Sequence, residues 1–212
     1  VLAIAGDIAD PKTAERAISG GVKRFGRIDT LVNNAGIFIA KPFTQYTAED
    51  FANILGVNVA GFFHITQAAV AEMEKQGSGH VVQITTSLVD HAIEGVPSVL
   101  ASLTKGGLNA ATKSLAIEYA KKGVRVNAVS PGIIKSPMHP AETHAALAGL
   151  HPVGHMGEMS DIVDEWGEAP PVFSVLLEHL TGVDRRRTVK HAQHLVLLSD
   201  DLDGVRLALL QV

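Results

Sequence analysis

The side chains best placed to do chemistry together lie between Ile84 and Leu108. Hydroxyls at Thr85, Thr86 and Ser87 close an apolar run, a loop follows, and a helix then opens that carries a lone lysine, Lys105. A strand end facing a helix-borne lysine is how an α/β sheet assembles a crevice outside its carboxyl edge. A second polar group stands upstream. Phe51, Leu55, Asn58, Phe62, Ile65 and Ala69 fall at steps of four and three, one helical stripe in which Asn58 is the only amide. A buried amide needs partners for both its donor and acceptor ends, so Asn58 is either a satisfied structural plug or part of a site.

Other constellations carry less. Ser102 and Lys105 have S-x-x-K spacing, the nucleophile motif of penicillin-recognising acyl enzymes, but no S-D-N or K-T-G accompanies it. His151 and His155 are four apart, yet Pro152 and Gly154 between them oppose a helical ligand pair, so no metal is expected. The region with His139, His144, His151 and His155 reads instead as a flap over the site. Arg185, Arg186, Arg187 and Lys190 form a short basic run typical of a solvated turn.

These groups need a scaffold, and the chain has the composition for one. With 212 residues and 46% apolar content it can bury one sizeable core, so residues 1–212 are read as one domain. A formal charge of −4 opposes a general affinity for nucleic acid or anionic membranes. No apolar run approaches the roughly 18 residues of a membrane span. Cysteine is absent, which excludes disulfides and thiolate metal sites and is compatible with a cytoplasmic location.

The element order follows from local signals. Val1 to Ala5 is a short apolar strand ending in Gly6-Asp7; Asp10 before Pro11 opens a helix towards Phe25; Ile28 to Val32 is the next strand, ending in Asn33-Asn34-Ala35-Gly36. Thr47-Ala48-Glu49-Asp50 has capping-box spacing and starts the helix of the Asn58 stripe. His80 to Thr86 is a strand, Pro97-Ser98 opens a helix to about Lys122, and Val124 to Val129 is a strand that Pro131-Gly132 ends. Gly106-Gly107 within a helix suggests close approach of another backbone. Alternating strands and helices mark an α/β, doubly wound parallel sheet with right-handed crossovers. Beyond about residue 165 only two apolar runs stand out, Leu195 to Leu198 and Val205 to Leu210.

Four motifs then appear in order: Gly26-Arg27-Ile28-Asp29, Asn33-Asn34-Ala35-Gly36, Leu55-Gly56-Val57-Asn58-Val59-Ala60-Gly61, and Val124-Arg125-Val126-Asn127-Ala128-Val129-Ser130-Pro131-Gly132. Together they resemble the short-chain dehydrogenase/reductase family over about residues 1 to 138. The resemblance implies a Rossmann-like fold, NAD or NADP as cofactor, and hydride exchange with a ketone or secondary alcohol. It implies that Asp7 meets the adenine with Ile8 beside it, and that Asn34, Ala35 and Gly36 pass under the adenine ribose. It implies that Asn58 is the catalytic asparagine holding a water in a proton relay. Lys105 corresponds to the lysine that binds the nicotinamide ribose and lowers the pKa of the neighbouring acid. Pro131, Gly132, Ile134 and Ser136 correspond to the segment touching the nicotinamide. Ser87, with Thr86 as the alternative, corresponds to the hydroxyl that holds the substrate oxygen.

Three departures accompany it. The family's tyrosine, four residues before the lysine, is Ala101 here. The sequence opens at what would be the third strand, so the domain is expected to be N-terminally truncated and to lack the first two strands. Residues from about 165 to 212 form a divergent C-terminal segment. In the family order 3-2-1-4-5-6-7, the strand at Val1 to Ala5 would either pair anew with the Ile28 strand or sit loosely at an edge. The resulting reading is an oxidoreductase acting on a small-molecule substrate, with a catalytically inactive dinucleotide-sensing or structural member as the alternative. The two long helices resemble the pair through which family members assemble, implying a homodimer or homotetramer.

Overall fold

Capping chemistry opens the first helices where the residues demand it. The computed structural model describes residues 1–164, 194–199 and 207–211. After strand β1 (Leu2–Gly6), the Asp10 carboxylate accepts the Lys12 N–H at 3.0 Å, and Pro11 begins helix α1 (Pro11–Phe25). Before α2 (Ala48–Leu55) the capping box closes both ways: Asp50 N–H donates to Thr47 Oγ1 (3.1 Å) and Thr47 N–H to Asp50 Oδ2 (2.9 Å). Lys41 donates to the same carboxylate and, with these bonds, holds the Asp50 pKa below its usual value.

A π turn (Gly56–Gly61) joins α2 to α3 (Phe62–Gln76), making one continuous helix. The wider turn does not keep the count of 3.6, so the stripe expected from Phe51 to Ala69 is broken. Phe51 is 45% exposed, and the buried line runs instead through Ile54, Val57, Asn58, Gly61, Ile65 and Ala69. Ala48–Gln76 is long and apolar enough to cross a membrane by composition, with a mean hydropathy of 1.5 in its most apolar window, contrary to the sequence expectation. Nearly half of that window is buried in the fold, as in a core helix.

The next strand is β2 (Thr30–Asn33), shorter at its start than the sequence suggests. The Gln76 side chain explains this, because its Oε1 accepts Ile28 N–H (2.9 Å) and its Nε2 donates to Ile28 C=O (2.7 Å). Strand β3 (Gly79–Ile84), helix α4 (Val99–Tyr119) and strand β4 (Val124–Val129) follow, then short helices α5 (His144–Ala148) and α6 (Met159–Asp164). Among the described residues, Gly106 and Gly107 do not meet another backbone. The nearest atom to a methyl at Gly106 would be Val89 Cγ1 at 3.6 Å, and nothing lies within 4 Å at Gly107.

The apolar runs of the C-terminal segment form β5 (His194–Ser199) and β6 (Leu207–Gln211). The sheet order is β1-β5-β6-β2-β3-β4. Thus β1 neither pairs with β2 nor hangs loose: the chain's own tail supplies two strands between them, which corrects the sequence expectation. Strands β6, β2, β3 and β4 run parallel, and β5 is antiparallel to both its neighbours. The Arg185 to Lys190 run lies outside the described residues.

One apolar cluster holds the parallel part together. Ala17, Ile18 and Phe25 of α1, Ile65, Ala69 and Met73 of α3, and Leu31, Val81 and Val126 of the strands are buried in it, with Leu115 and Tyr119 of α4 packed against it. Helices α1, α3 and α4 therefore share one face of a Rossmann-like sheet.

Candidate active site

The carboxyl ends of β1, β2, β3 and β4 open at one edge, and the sequence-singled residues distribute along it. At the end of β1, Asp7 Oδ1 accepts Ala9 N–H at 2.9 Å, turning the chain so that Ile8 drops into the core. Ile8 fills the space a side chain at position 61 would need: a methyl on Gly61 would sit 2.9 Å from Ile8 Cγ1 and Cγ2. Gly61 is thus the residue that lets the long helix approach the β1 end.

Asn58, Gly36 and Lys105 meet at the centre of the edge. Asn58 is 1% exposed, and its amide is fully engaged: Oδ1 accepts Ile37 N–H (2.8 Å), while Nδ2 donates to Ile37 C=O (3.1 Å) and Thr104 Oγ1 (3.1 Å). The bonds that satisfy the amide also fix the chain beyond Gly36. A methyl on Gly36 would lie 2.9 Å from Lys105 Nζ and 3.4 Å from Asn58 Oδ1. A side chain there would have to displace the end of Lys105.

Lys105 donates to Ile84 C=O at 2.6 Å and makes no ion pair among the described residues. Burial disfavours its charged form and lowers its pKa to about 8. One helical turn earlier, Ala101 is 3% exposed and offers nothing to a reacting atom. Tyr46 donates to Ile39 C=O (2.7 Å), and Tyr119 lies against the core under the Lys122 ammonium, so neither tyrosine stands in for it.

The three hydroxyls after β3 separate. Thr85 is tied down, donating to Val129 C=O (3.0 Å) and lying 2.6 Å from Ser130 Oγ. Thr86 Oγ1 accepts Leu88 N–H (3.3 Å) as the cap of a short 3-10 turn, Ser87–Val89. The Ser87 hydroxyl makes no hydrogen bond among the described residues, while its backbone N–H donates to Pro131 C=O at 2.9 Å. That bond brings Ser87 beside the Pro131-Gly132 end of β4. Ser102 donates to Leu88 C=O (3.1 Å) and is not joined to Lys105, which leaves the S-x-x-K reading without a nucleophile–base pair.

Beyond β4, histidines hold the chain. Ile133 N–H donates to His151 Nε2 (3.1 Å), and the ring occupies the space where a side chain at Gly132 would be. His139 Nδ1 lies 2.9 Å from Ile134 C=O, His144 Nε2 lies 2.9 Å from His139 C=O, and Ile134 bridges to Gly157. Ser136 C=O accepts His139 N–H (2.9 Å). The residues proposed for the nicotinamide end are therefore backed by the histidine region.

Three residues were not singled out by the sequence reading. Thr104 grips Asn58 and was concealed by attention to the lysine beside it. Gly61 closed one of the resembling motifs, but its contact with Ile8 could not be read there. Gln83, buried on β3, has an Oε1 without a hydrogen-bond partner among the described residues and lines a small cleft with Ile8, Asn33, Ala35, Gly61, Phe62 and Ile65.

Comparison with known proteins shows the family. The family profile described as enoyl-(acyl carrier protein) reductase matches residues 1–165, and the chain belongs to the short-chain dehydrogenase/reductase family. An uncharacterized oxidoreductase of Thermotoga maritima is 35% identical over 169 residues, covering 75% of this chain and 65% of its own length. A 3alpha-hydroxysteroid dehydrogenase of Mediterraneibacter gnavus is 40% identical over 146 residues, 67% of this chain and 57% of the relative. The chain therefore spans somewhat under two thirds of these relatives. Among solved structures, a tyrosine-to-phenylalanine variant of ElxO with NADPH bound superposes with a TM-score of 0.69 at 27% identity, covering 87% of this chain and 72% of that one.

Proposed function

We propose that this chain is an NAD(P)-dependent oxidoreductase that moves hydride between the nucleotide and a ketone or secondary alcohol of small size. The observation that carries the reading is the meeting of Gly36, Asn58 and Lys105 at the carboxyl edge of the sheet, with Gly36 cradled against the ammonium. The residues present fit a dinucleotide: a glycine kept bare by proximity, a buried cation with two N–H bonds still to give, and a polar β1 end. Asp7 and Ile8 would face the adenine, Asn34, Ala35 and Gly36 its ribose, Lys105 the second ribose, and Pro131, Gly132, Ile134 and Ser136 the nicotinamide. When bound, the nucleotide supplies or accepts the hydride. Ser87, whose hydroxyl is uncommitted, would hold the substrate oxygen, with Thr86 as the alternative, and Asn58 would keep the Gly36–Ile37 backbone in place.

The same reading extends to assembly and setting. Phe51, Phe63, Val99, Leu103 and Ile117 are exposed on the two long helices, which supports a homodimer or homotetramer formed through them. A single Rossmann-like domain acting in the cytoplasm, without nucleic acid or membrane as partner, completes the proposal.

Titration of the purified chain with NADPH and NADH, read by nucleotide fluorescence, tests it first. Binding that Gly36→Val abolishes, followed by turnover across a panel of ketones and secondary alcohols, is the expected result. Absence of nucleotide binding would sink the proposal. Binding without turnover would favour the sensing role that the alanine at position 101 suggests.

A further inference from the structure

Resting on the oxidoreductase reading above, we propose that Thr104 is a positioning residue for nucleotide binding, tying the helix that carries Lys105 to the loop beyond β2. It acts through Asn58 rather than on a reacting atom.

Thr104 is 2% exposed, and its hydroxyl proton is spent on the turn before it. Oγ1 donates to Leu100 C=O at 2.9 Å, with Ala101 C=O at 3.2 Å. What the oxygen has left is a lone pair, so the group facing it must be a donor. That group is Asn58 Nδ2, 3.1 Å away. The other N–H of the same amide goes to Ile37 C=O (3.1 Å), and Oδ1 accepts Ile37 N–H (2.8 Å). Both N–H bonds of the amide are thus used. Without the threonine oxygen one of them would be stranded on a side chain that is 1% exposed, and a buried donor left unpaired costs more than a typical bond gains. The amide could recover an acceptor only by turning away from Ile37.

Ile37 follows Gly36, and Gly36 lies against the end of Lys105, since a methyl built on it would stand 2.9 Å from Nζ. Lys105 is fastened separately, to Ile84 C=O at the end of β3 (2.6 Å). Two consecutive residues of α4 therefore moor the helix to two neighbouring strands. Lys105 holds the end of β3, and Thr104, through Asn58, holds the loop after β2. Together they set the spacing between the lysine and Gly36, the two sides of the site that the oxidoreductase reading gives to the nucleotide. Loss of the Thr104 bond frees the loop side alone. A nucleotide must then reorder that loop as it binds, so the loss is read as affinity. A threonine that served packing only would change stability and leave affinity where it was.

Titration of the folded chain with NADPH, read by nucleotide fluorescence, tests this. Thr104→Val keeps the shape and removes the acceptor, and should weaken binding about tenfold. Thr104→Ser, which restores the oxygen, should bind close to wild type. Thr112 supplies the control: it is buried on the same helix and donates to Leu108 C=O (2.8 Å), but bonds no side chain among the described residues, so Thr112→Val should keep wild-type affinity. Hydrogen exchange gives a second readout, because the Ile37 amide donates to Asn58 and should exchange faster in Thr104→Val. Adding Thr104→Val to Asn58→Ala should weaken binding no further than Asn58→Ala alone. Should the valine variant not fold, Thr104→Ala carries the same readouts. Wild-type affinity in Thr104→Val, a serine variant as weak as the valine one, or an equal loss in Thr112→Val overturns the role of Thr104 and leaves the oxidoreductase reading standing. A wild-type chain that binds neither NADPH nor NADH overturns both.

Discussion

The two halves of the sheet are built by opposite means. Strands β2, β3 and β4 are parallel neighbours joined by their own crossover helices, with Thr30 opposite His80 and His80 opposite Arg125. Strands β1, β5 and β6 come from the two ends of the chain, with Leu2 opposite Leu198 and β5 running against its neighbours. Closing the longer loop costs only about 1 kcal/mol more, since loop entropy grows with the logarithm of length. The difference lies in what each half exposes. In the parallel half every carboxyl end reaches the site edge, delivering Gly36, Ser87 and Pro131 to it. In the other half reversal of β5 turns its carboxyl end away, while β6, parallel to β2, ends at the same edge as β2 and β1 brings Asp7 and Ile8 to it. A tail can thus complete a sheet with one strand ending at the crevice edge and the other ending away from it.

Cutting the chain after residue 164 is the strongest test of this contrast. Hydrogen exchange should then show β1 amides losing protection by orders of magnitude while β3 and β4 retain theirs, because β1 pairs only with β5 and β4 only with β3. Equal loss in both halves would mean that the parallel half does not stand on its own cluster.

Gly61→Val attacks the seam between the halves, where the long helix meets Ile8. The added side chain would start 2.9 Å from Ile8 and should destabilise by about 1–3 kcal/mol in urea titration, with little change in slope. Gln83→Leu, also at that cleft, should do the reverse. Removing an oxygen with no partner should leave stability unchanged or raise it by about 1 kcal/mol, seen as a higher urea midpoint.

A further effect is a pH dependence confined to the parallel half. On β3, burial, helped by the Arg125 charge, lowers the His80 pKa from 6.5 to about 4. The unfolded chain therefore binds more protons in that window. The contribution is present above pH 6.5 and is lost as pH falls towards 4. His80→Gln should flatten the stability profile between those limits; an unchanged profile would place the slope elsewhere.

Legibility in the sequence followed the range of the cause. The Asp10–Pro11 start of α1 and the Thr47–Asp50 box were readable because each cap is made within three residues. The apolar runs of β5 and β6 were visible, but their partners lie far along the chain and no local pattern names them. The stripe through Asn58 failed at the π turn, where periodicity stops reporting a face. Proximity of Gly36, Asn58 and Lys105 came from motif resemblance, whereas the grip of Thr104 on Asn58 and the contact of Gly61 with Ile8 needed coordinates.

The π turn between Gly56 and Gly61 works as a phase shifter. An ordinary helix advances about 100° per residue, so one residue more or less in this segment would rotate everything after it by that angle relative to everything before it. The face that carries Asn58 to Ile37 and the face that lays Ile65 and Ala69 on the sheet are matched only at the present length. Substitutions can accumulate along this helix one by one, but an insertion or deletion there would dial the amide away from the edge in a single step.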